Sequence, residues 1–138
     1  MNKDEIMKIL PHRDNMLLLD EATEKDGEAE GRYLVKGDEF FLKGHFPDNP
    51  IVPGVILLEI LAQSACVLMK DVIETGAIPV YTGLNNVKFR SPVKPGDKIV
   101  THCRIKRKKH PFYFAEGEVT VDGRLCASAE FSFAVTGE

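Results

Sequence analysis

Residues 51–69 form an almost uninterrupted apolar segment, IVPGVILLEILAQSACVLM, which constrains the fold more than any other part of the chain. Pro53 suits the first position of a helix, and Gly76 is a suitable stop after the last turn. The pattern therefore predicts one helix over about 53–75, roughly 33 Å long at the rise of an α-helix. Because this helix would be apolar on nearly every side, other elements must surround it.

A membrane-spanning helix is the competing interpretation of such a segment. A proline and several polar residues interrupt the segment, however, and two charged residues close it: Pro53, Glu59, Gln63, Ser64, Lys70 and Asp71. Charged and polar groups are costly at the centre of a bilayer. We therefore expect a helix buried inside a folded domain, and no membrane partner.

Glu59 is the one acidic residue of the apolar segment, and Leu58 and Ile60 flank it. Burial in an apolar helix favours the neutral, protonated carboxyl group, which can then act as a proton donor. A structural alternative stays open, in which Glu59 is a buried acid paired with an arginine or a lysine of a neighbouring strand.

Most of the chain after the helix has the pattern of β-strands, and Asp122-Gly123 is a strong two-residue hairpin signal. The predicted strands cover residues 16–23, 32–35, 80–89, 98–106, 111–121 and 124–135, and a short helix is predicted over 4–10. One long helix with consecutive antiparallel strands predicts an α+β fold in which the sheet curls around the helix. A chain of 138 residues is expected to form one domain, residues 1–138, with a substantial core.

Basic residues are concentrated in one part of a chain whose net charge is −3. Residues 84–110 contain nine lysines or arginines against a single acid, Asp97. Such a surface favours an acidic partner, although for residues 106–109 the default interpretation is a strand edge protected by lysines. No aromatic stacking motif accompanies the charge, so we do not expect nucleic acid.

The cysteine pattern and the N-terminus favour a reducing compartment. Cys66, Cys103 and Cys126 are odd in number and scattered, and none belongs to a CxxC motif. The first residues lack the apolar core of a secretory signal. We therefore expect a cytoplasmic location, structural thiols and no metal site.

Four segments, in order along the chain, resemble the 3-hydroxyacyl-[acyl-carrier-protein] dehydratases of the FabZ-like branch of the hot-dog fold. They are LPHRDNMLLLD (10–20), GHFPDNPIVPGVILLEILAQ (44–63), FRSPVKPGD (89–97) and VDGRLCASAEF (121–131). Asp48, where glycine is usual, and Asp14-Asn15, where an aromatic-proline pair is commoner, depart from the pattern. Both departures could reshape loops near the acyl path.

The resemblance implies a (3R)-hydroxyacyl-ACP dehydratase of type II fatty-acid synthesis that makes trans-2-enoyl-ACP without a cofactor. His45 would accept the C2 proton, and protonated Glu59 would deliver a proton to the leaving hydroxyl. Backbone N–H groups of Gly54 and Val55 at the helix N-terminus would polarise the thioester carbonyl. Gln63, one helical turn after Glu59, would help to hold the carboxyl group.

The resemblance also suggests residues that bind the substrate and its carrier. The acyl chain would lie along the helix between Phe46, Val55 and Leu58. Tyr81 occupies the position of a tunnel-gating aromatic in the family, but a tyrosine that merely packs in the sheet fits equally well. Arg90 and Lys94 are the leading candidates for docking the acidic acyl carrier protein, which presents the chain on phosphopantetheine.

His12 and Arg13, in the first of the four segments, are expected to secure the N-terminal loop. A role of these two residues at the substrate tunnel or at an interface stays open.

In the family, the histidine and the glutamate of one site come from opposite subunits, so His45 would face Glu59 of a partner chain in a homodimer. Hexamers built from three dimers are common in the family.

Three other functions stay open: a dehydratase that also isomerises its product to cis-3-enoyl-ACP, a non-catalytic acyl-binding module, and, less favoured, a thioesterase. Position 59 is Glu, as in the FabZ-like branch, whereas the dehydratase-isomerases have Asp, which favours simple dehydration. The sequence does not fix the preferred chain length.

Overall fold

The computed structural model describes residues 1–43, 48–73 and 76–136, which form one helix partly enclosed by a six-stranded antiparallel sheet. The strand order is β1-β2-β4-β5-β6-β3, which confirms the predicted α+β arrangement. The helices are α1 (Lys3–Met7), α2 (Gly54–Cys66) and α3 (Lys70–Ile73), with 3₁₀ turns at Asp14–Met16, Phe40–Leu42 and Val67–Met69. The strands are β1 (Glu21–Lys25), β2 (Glu28–Leu34), β3 (Ile78–Phe89), β4 (Lys98–Lys109), β5 (Phe112–Val121) and β6 (Arg124–Thr136).

The central helix α2 is shorter than the predicted helix. Regular α-helix ends at Cys66, a 3₁₀ turn follows, and α3 resumes as far as Ile73. The Ser64 hydroxyl donates to the carbonyl of Ile60, 3.0 Å away, and such bonds to the preceding turn loosen the helical ladder. The Val67 N–H then reaches the carbonyls of both Ser64 and Ala65, which tightens the last turn.

Two glycines let the sheet approach α2 closely. A Cβ atom at Gly117 of β5 would lie 2.6 Å from the backbone oxygen of His102 and 2.7 Å from Cδ1 of Leu61. A Cβ atom at Gly31 of β2 would overlap the hydroxyl oxygen of Ser64 in α2. Neither position has room for a side chain, so both glycines set the distance between sheet and helix.

A buried hydrogen-bond chain joins the same elements. The Gly31 N–H donates to Thr101 Oγ1 over 3.0 Å, and Thr101 Oγ1 lies 2.6 Å from Ser64 Oγ. Ser64 and Thr101 are both fully buried. These hydrogen bonds satisfy polar groups that would otherwise be costly in the core, and they fix the position of α2 against β2 and β4.

The strand predictions are correct in the C-terminal half and less accurate near the N-terminus. Asp122 and Gly123 have φ angles of 51° and 78°, as a two-residue hairpin of type I′ requires, and Val121 pairs with Arg124. The predicted strand over 16–23 is wrong in its first part, because regular pairing begins only at Glu21. The Leu18 N–H donates to the side chain of Gln63, 2.9 Å away, and is therefore not part of a ladder.

Strand β3 is one edge of the sheet, since β6 is its one neighbour in the strand order. Large apolar side chains along β3 are about half exposed: Ile78, Val80, Leu84 and Phe89. An open edge that carries exposed apolar side chains is suited to pairing with another chain. None of the helices in the described part of the chain is long and apolar enough to cross a membrane.

Replacing Gly117 with alanine is expected to destabilise the fold by about 1–3 kcal/mol, because the new methyl group overlaps a backbone oxygen and Leu61. Gly83→Ala on β3 is the matched control, since its Cβ would meet only the movable hydroxyl of Ser132 at 3.1 Å. Denaturant unfolding of both variants measures the difference. Equal stability of the two variants would contradict the packing described above.

Candidate active site

Glu59 lies in the second turn of α2, between the buried residues Leu58 and Ile60, with 23% of its side chain exposed. It is less buried than the apolar circumference of the helix implies, because its carboxyl group faces the N-terminal loop and not the sheet. The alternative of a strand arginine or lysine as its partner is wrong within the described residues, where the ionisable side chain in contact with its carboxyl group is His12.

Gln63 holds the Glu59 carboxyl group as predicted. Its Nε2 donates to Oε2 of Glu59 over 3.0 Å and to the carbonyl of Met16 over 2.7 Å. Its Oε1 accepts the N–H of Leu18 over 2.9 Å, and the residue is fully buried. With both donors and the acceptor engaged, the amide has one orientation, and Glu59 is fixed on that side.

His12 contacts the same carboxylate oxygen from the N-terminal loop. Its Nε2 lies 3.2 Å from Oε2 of Glu59, with 25% of the imidazole side chain exposed. Its Nδ1 is buried and has no hydrogen-bond partner among the described residues. No sequence pattern points to this contact, because it joins a loop to a helix residue 47 positions further along the chain.

Arg13 secures the loop that carries His12, which confirms the role predicted for it. Its guanidinium group donates to three backbone carbonyls: those of Leu10 and His12, both at 2.7 Å, and that of Met7 at 2.9 Å. Leu10 is itself buried in the core. The loop therefore holds its shape next to Glu59.

Tyr81 ties the edge strand to α2 directly beside Glu59. Its hydroxyl donates to the carbonyl of Leu58 over 2.8 Å, and its ring packs 5.3 Å from that of Phe133. Burial, and secondarily the charge of Glu59, raise the pKa of Tyr81 above its ordinary value. Tyr81 is thus a neutral donor with a structural bond, which supports the packing interpretation, while gating of a tunnel stays a prediction.

Cys66 lies one turn beyond Gln63 and does not supply a nucleophile. Burial, together with the charge of Glu59, raises the pKa of the Cys66 thiol well above its ordinary value. Cys103 and Cys126 are likewise buried and free, and burial raises the pKa of Cys103 to about 12. The prediction of structural thiols fits these surroundings.

The N-terminus of α2 opens onto an apolar groove of about 470 Å³ between the helix and the end of β3. The first bonds of the helix are donated by Ile56 and Leu57 to the carbonyl of Pro53, at 2.9 and 3.3 Å. The N–H groups of Gly54 and Val55 precede these bonds, at the positive end of the helix. The groove is lined by Ile51, Val52, Gly54, Val55, Leu57, Phe89, Arg90, Ser91, Pro92 and Val93.

Phe89 covers the start of the helix and explains why position 54 is a glycine. A Cβ atom at Gly54 would lie 2.6 Å from Cε1 of Phe89. The Phe89 ring is 55% exposed and forms one wall of the groove. The helix-start pattern predicts a role for Gly54 but not for Phe89, although Phe89 is the first residue of the segment 89–97 that resembles the family.

The predicted catalytic and substrate-binding residues fall into three groups. Glu59, Gln63, Leu58 and Tyr81 lie together at the middle of α2, whereas Gly54 and Val55 line the groove at its start. His45 and Phe46 lie outside the described residues.

The expected basic surface is partly neutralised by acids of other strands of the sheet. Arg104 binds Glu116 at 2.7 Å, and Lys106 binds Glu130 at 3.3 Å. Within the described residues, Arg90 and Lys94 have no ion-pair partner, and Arg90 lines the groove. Pairing of β4 with β2 ends at Arg104, so β5 is the one described strand that pairs with residues 105–109, which confirms the interpretation of a strand edge rich in lysine.

Comparisons with known proteins agree on one family. The sequence matches the FabA-like domain over residues 10–130. It is 39% identical to the 3-hydroxyacyl-[acyl-carrier-protein] dehydratase FabZ of Clostridium beijerinckii, over 98% of this chain and 99% of that protein. It is 40% identical to the protein of the same name from Petrotoga mobilis, over 94% of each chain.

A solved structure shows the same fold. The dehydratase heterocomplex ApeI:P from Xenorhabdus doucetiae matches with a TM-score of 0.82 and 17% sequence identity, over 96% of this chain and 91% of that one. The predicted hot-dog fold is thereby confirmed.

Replacing Gln63 with leucine, which has a similar volume, is expected to lower the free energy of unfolding by about 2–4 kcal/mol. The change leaves the buried N–H of Leu18 and carbonyl of Met16 without their partner. Asn85→Leu is the control, because its amide side chain is exposed on β3. Chemical denaturation of both variants provides the measurement. A Gln63→Leu variant as stable as the control would show that the hydrogen bonds of Gln63 to Leu18 and Met16 do not stabilise the fold.

Proposed function

We propose that this chain, which belongs to the family of FabA-like domains, is a 3-hydroxyacyl-[acyl-carrier-protein] dehydratase of fatty-acid synthesis. The observation that carries the proposal is its similarity, over nearly its full length, to relatives of that name. The reaction removes the C3 hydroxyl and a C2 proton of a (3R)-hydroxyacyl thioester as water and leaves a trans-2-enoyl thioester.

Glu59 is the general acid of the proposed reaction. Its Oε2 is occupied by the amide of Gln63 and lies beside the imidazole of His12. The second oxygen, Oε1, has no hydrogen bond from the described residues and is left to carry the proton. Transfer of that proton to the leaving hydroxyl releases water, while His45 takes the C2 proton.

The start of α2 is suited to the thioester. Negative charge develops on the carbonyl oxygen as the C2 proton leaves, and the N–H groups of Gly54 and Val55 can stabilise it. Gly54 leaves room for the Phe89 ring beside the helix start, and the apolar groove that this ring lines accepts the uncharged part of the thioester arm or the acyl chain. In this proposal the acyl chain follows the path predicted from the sequence, between Phe46, Val55 and Leu58.

A second copy of the chain completes the site in this proposal. The half-exposed apolar side chains of the β3 edge support such pairing, and Tyr81 of that strand contacts the helix at Leu58, next to Glu59. A dimer joined at this edge would bring a partner chain close to the acid. The supply of His45 by the partner, and the assembly of dimers into hexamers, stay predictions, as does the cytoplasmic location.

Two alternatives use the same site. A base and an acid that move protons at C2 and C3 could also shift the double bond to give a cis-3-enoyl product. A non-catalytic acyl-binding module would keep the groove and the fold without the reaction. The position of the double bond tests the first alternative, and turnover tests the second.

The proposal is tested by incubating the protein with a (3R)-hydroxyacyl-ACP and identifying products by mass and double-bond position. Wild type is expected to lose water from the substrate, whereas Glu59→Gln and His45→Ala are each expected to lower kcat by about 100-fold or more. Glu118→Gln, an exposed carboxylate on β5, is the matched control and should keep wild-type activity. No dehydration by a folded wild type would overturn the proposed function.

Carrier docking is tested separately by a double variant, Arg90→Ala with Lys94→Ala. Loss of Arg90, which lines the groove, and of Lys94, which follows the lining residue Val93, is expected to raise KM for an acyl-ACP substrate by about 3- to 10-fold, because the carrier is acidic. Turnover of a small thioester that lacks the carrier should not change. Lys108→Ala with Lys109→Ala, at the far end of β4, is the control, and an unchanged KM in the first variant would exclude Arg90 and Lys94 as the docking residues.

A further inference from the structure

We infer that His12 is a positioning residue for the proposed acid: its Nε2–H fixes Oε2 of Glu59 so that Oε1 alone faces the reacting hydroxyl. The inference rests on the proposed function and adds a residue that is remote from Glu59 in sequence. It assigns His12 a role in the reaction without contact to the substrate.

The geometry at the carboxyl group favours two donors on one oxygen. Nε2 of Gln63 and Nε2 of His12 lie 3.0 and 3.2 Å from the same atom, Oε2 of Glu59. A carboxylic acid that gives up its proton from one oxygen can accept hydrogen bonds on the other. Two donors on Oε2 therefore select Oε1 as the oxygen that carries the proton.

The surroundings of His12 favour a neutral ring with its proton on Nε2. The other nitrogen, Nδ1, is buried and has no partner among the described residues. A charged ring would bury an N–H group without an acceptor, and a ring protonated on Nδ1 alone could not donate to Glu59. The remaining form donates from Nε2 and leaves only an acceptor unpaired.

The loop is built to keep the ring in place. The Arg13 guanidinium group donates to the carbonyls of Met7, Leu10 and His12. The carbonyl of His12 is bonded to the Cα atom that carries the ring, so this hydrogen bond holds the backbone next to the ring. Gln63 holds the other end of the loop through the carbonyl of Met16. The same amide that bonds Glu59 thus anchors the segment that brings His12 to it.

The outer face of the sheet provides a matched comparison. There, Nε2 of His102 lies 3.1 Å from Oε1 of Glu30, nearly the same distance as in the His12 pair. The His102 side chain is 52% exposed, and Glu30 also binds Arg32. The two pairs share their chemistry, but only the His12 pair involves the proposed acid.

The test compares His12→Phe, which keeps a ring without a donor, with His12→Gln, whose amide can donate from nearly the same position. His12→Phe is expected to lower kcat for 3-hydroxyacyl-ACP dehydration by about 10- to 100-fold, with KM changed by less than about threefold. His12→Gln should restore most of kcat. His102→Phe and His102→Gln should both behave as wild type.

A wild-type kcat in folded His12→Phe, while Glu59→Gln remains inactive, would overturn the inference and leave the proposed function intact. Equal losses in His12→Phe and His12→Gln would also overturn it, because a donor would then not matter. If His12→Phe does not fold, His12→Asn replaces it, since the shorter amide does not reach Glu59.

Nitrogen-15 NMR of histidine in the wild-type protein gives a readout that does not depend on activity. The inference predicts that the neutral ring of His12 carries its proton on Nε2. A proton on Nδ1 alone would overturn the inference, even if the protein proved not to be a dehydratase.

Discussion

The buried amide of Gln63 is the interaction on which the site depends. It is fully buried and makes three hydrogen bonds. Two of them join α2 to Met16 and Leu18, and the third holds the carboxyl group of Glu59 on the same helix. An amide with every group satisfied has one orientation in the core, so it specifies how the N-terminal segment crosses the helix. The position of Glu59 follows from that crossing.

The helix α2 links the two halves of the proposed chemistry. Its N-terminus presents backbone N–H groups at Gly54 and Val55, and Glu59 follows five residues after Gly54, about 8 Å along the axis. Gly31 and Gly117 hold the sheet close to this helix, and Tyr81 ties the edge strand to it. A rigid helix thus fixes the distance between the groups that would polarise the thioester and protonate the hydroxyl.

The sequence was sufficient for features that depend on local pattern. The apolar segment predicted the central helix, Asp122-Gly123 predicted the last hairpin, and the four-residue spacing predicted the contact between Gln63 and Glu59. The contact between His12 and Glu59 could not be predicted, because it depends on how a loop crosses a helix. The neutralisation of Arg104 and Lys106 depends on cross-strand register, which a count of charges along the chain does not contain.

The central claim is that Glu59 is the acid of a site shared with His45 of a second copy, and mixed dimers test it most directly. Inactive His45→Ala and Glu59→Gln proteins are dissociated, mixed in equal amounts and reassociated before dehydration is measured. If the site is shared, half of the dimers regain one complete site, and about a quarter of wild-type activity returns. No recovery in mixed dimers shown to have formed would contradict the claim and place both groups within one chain.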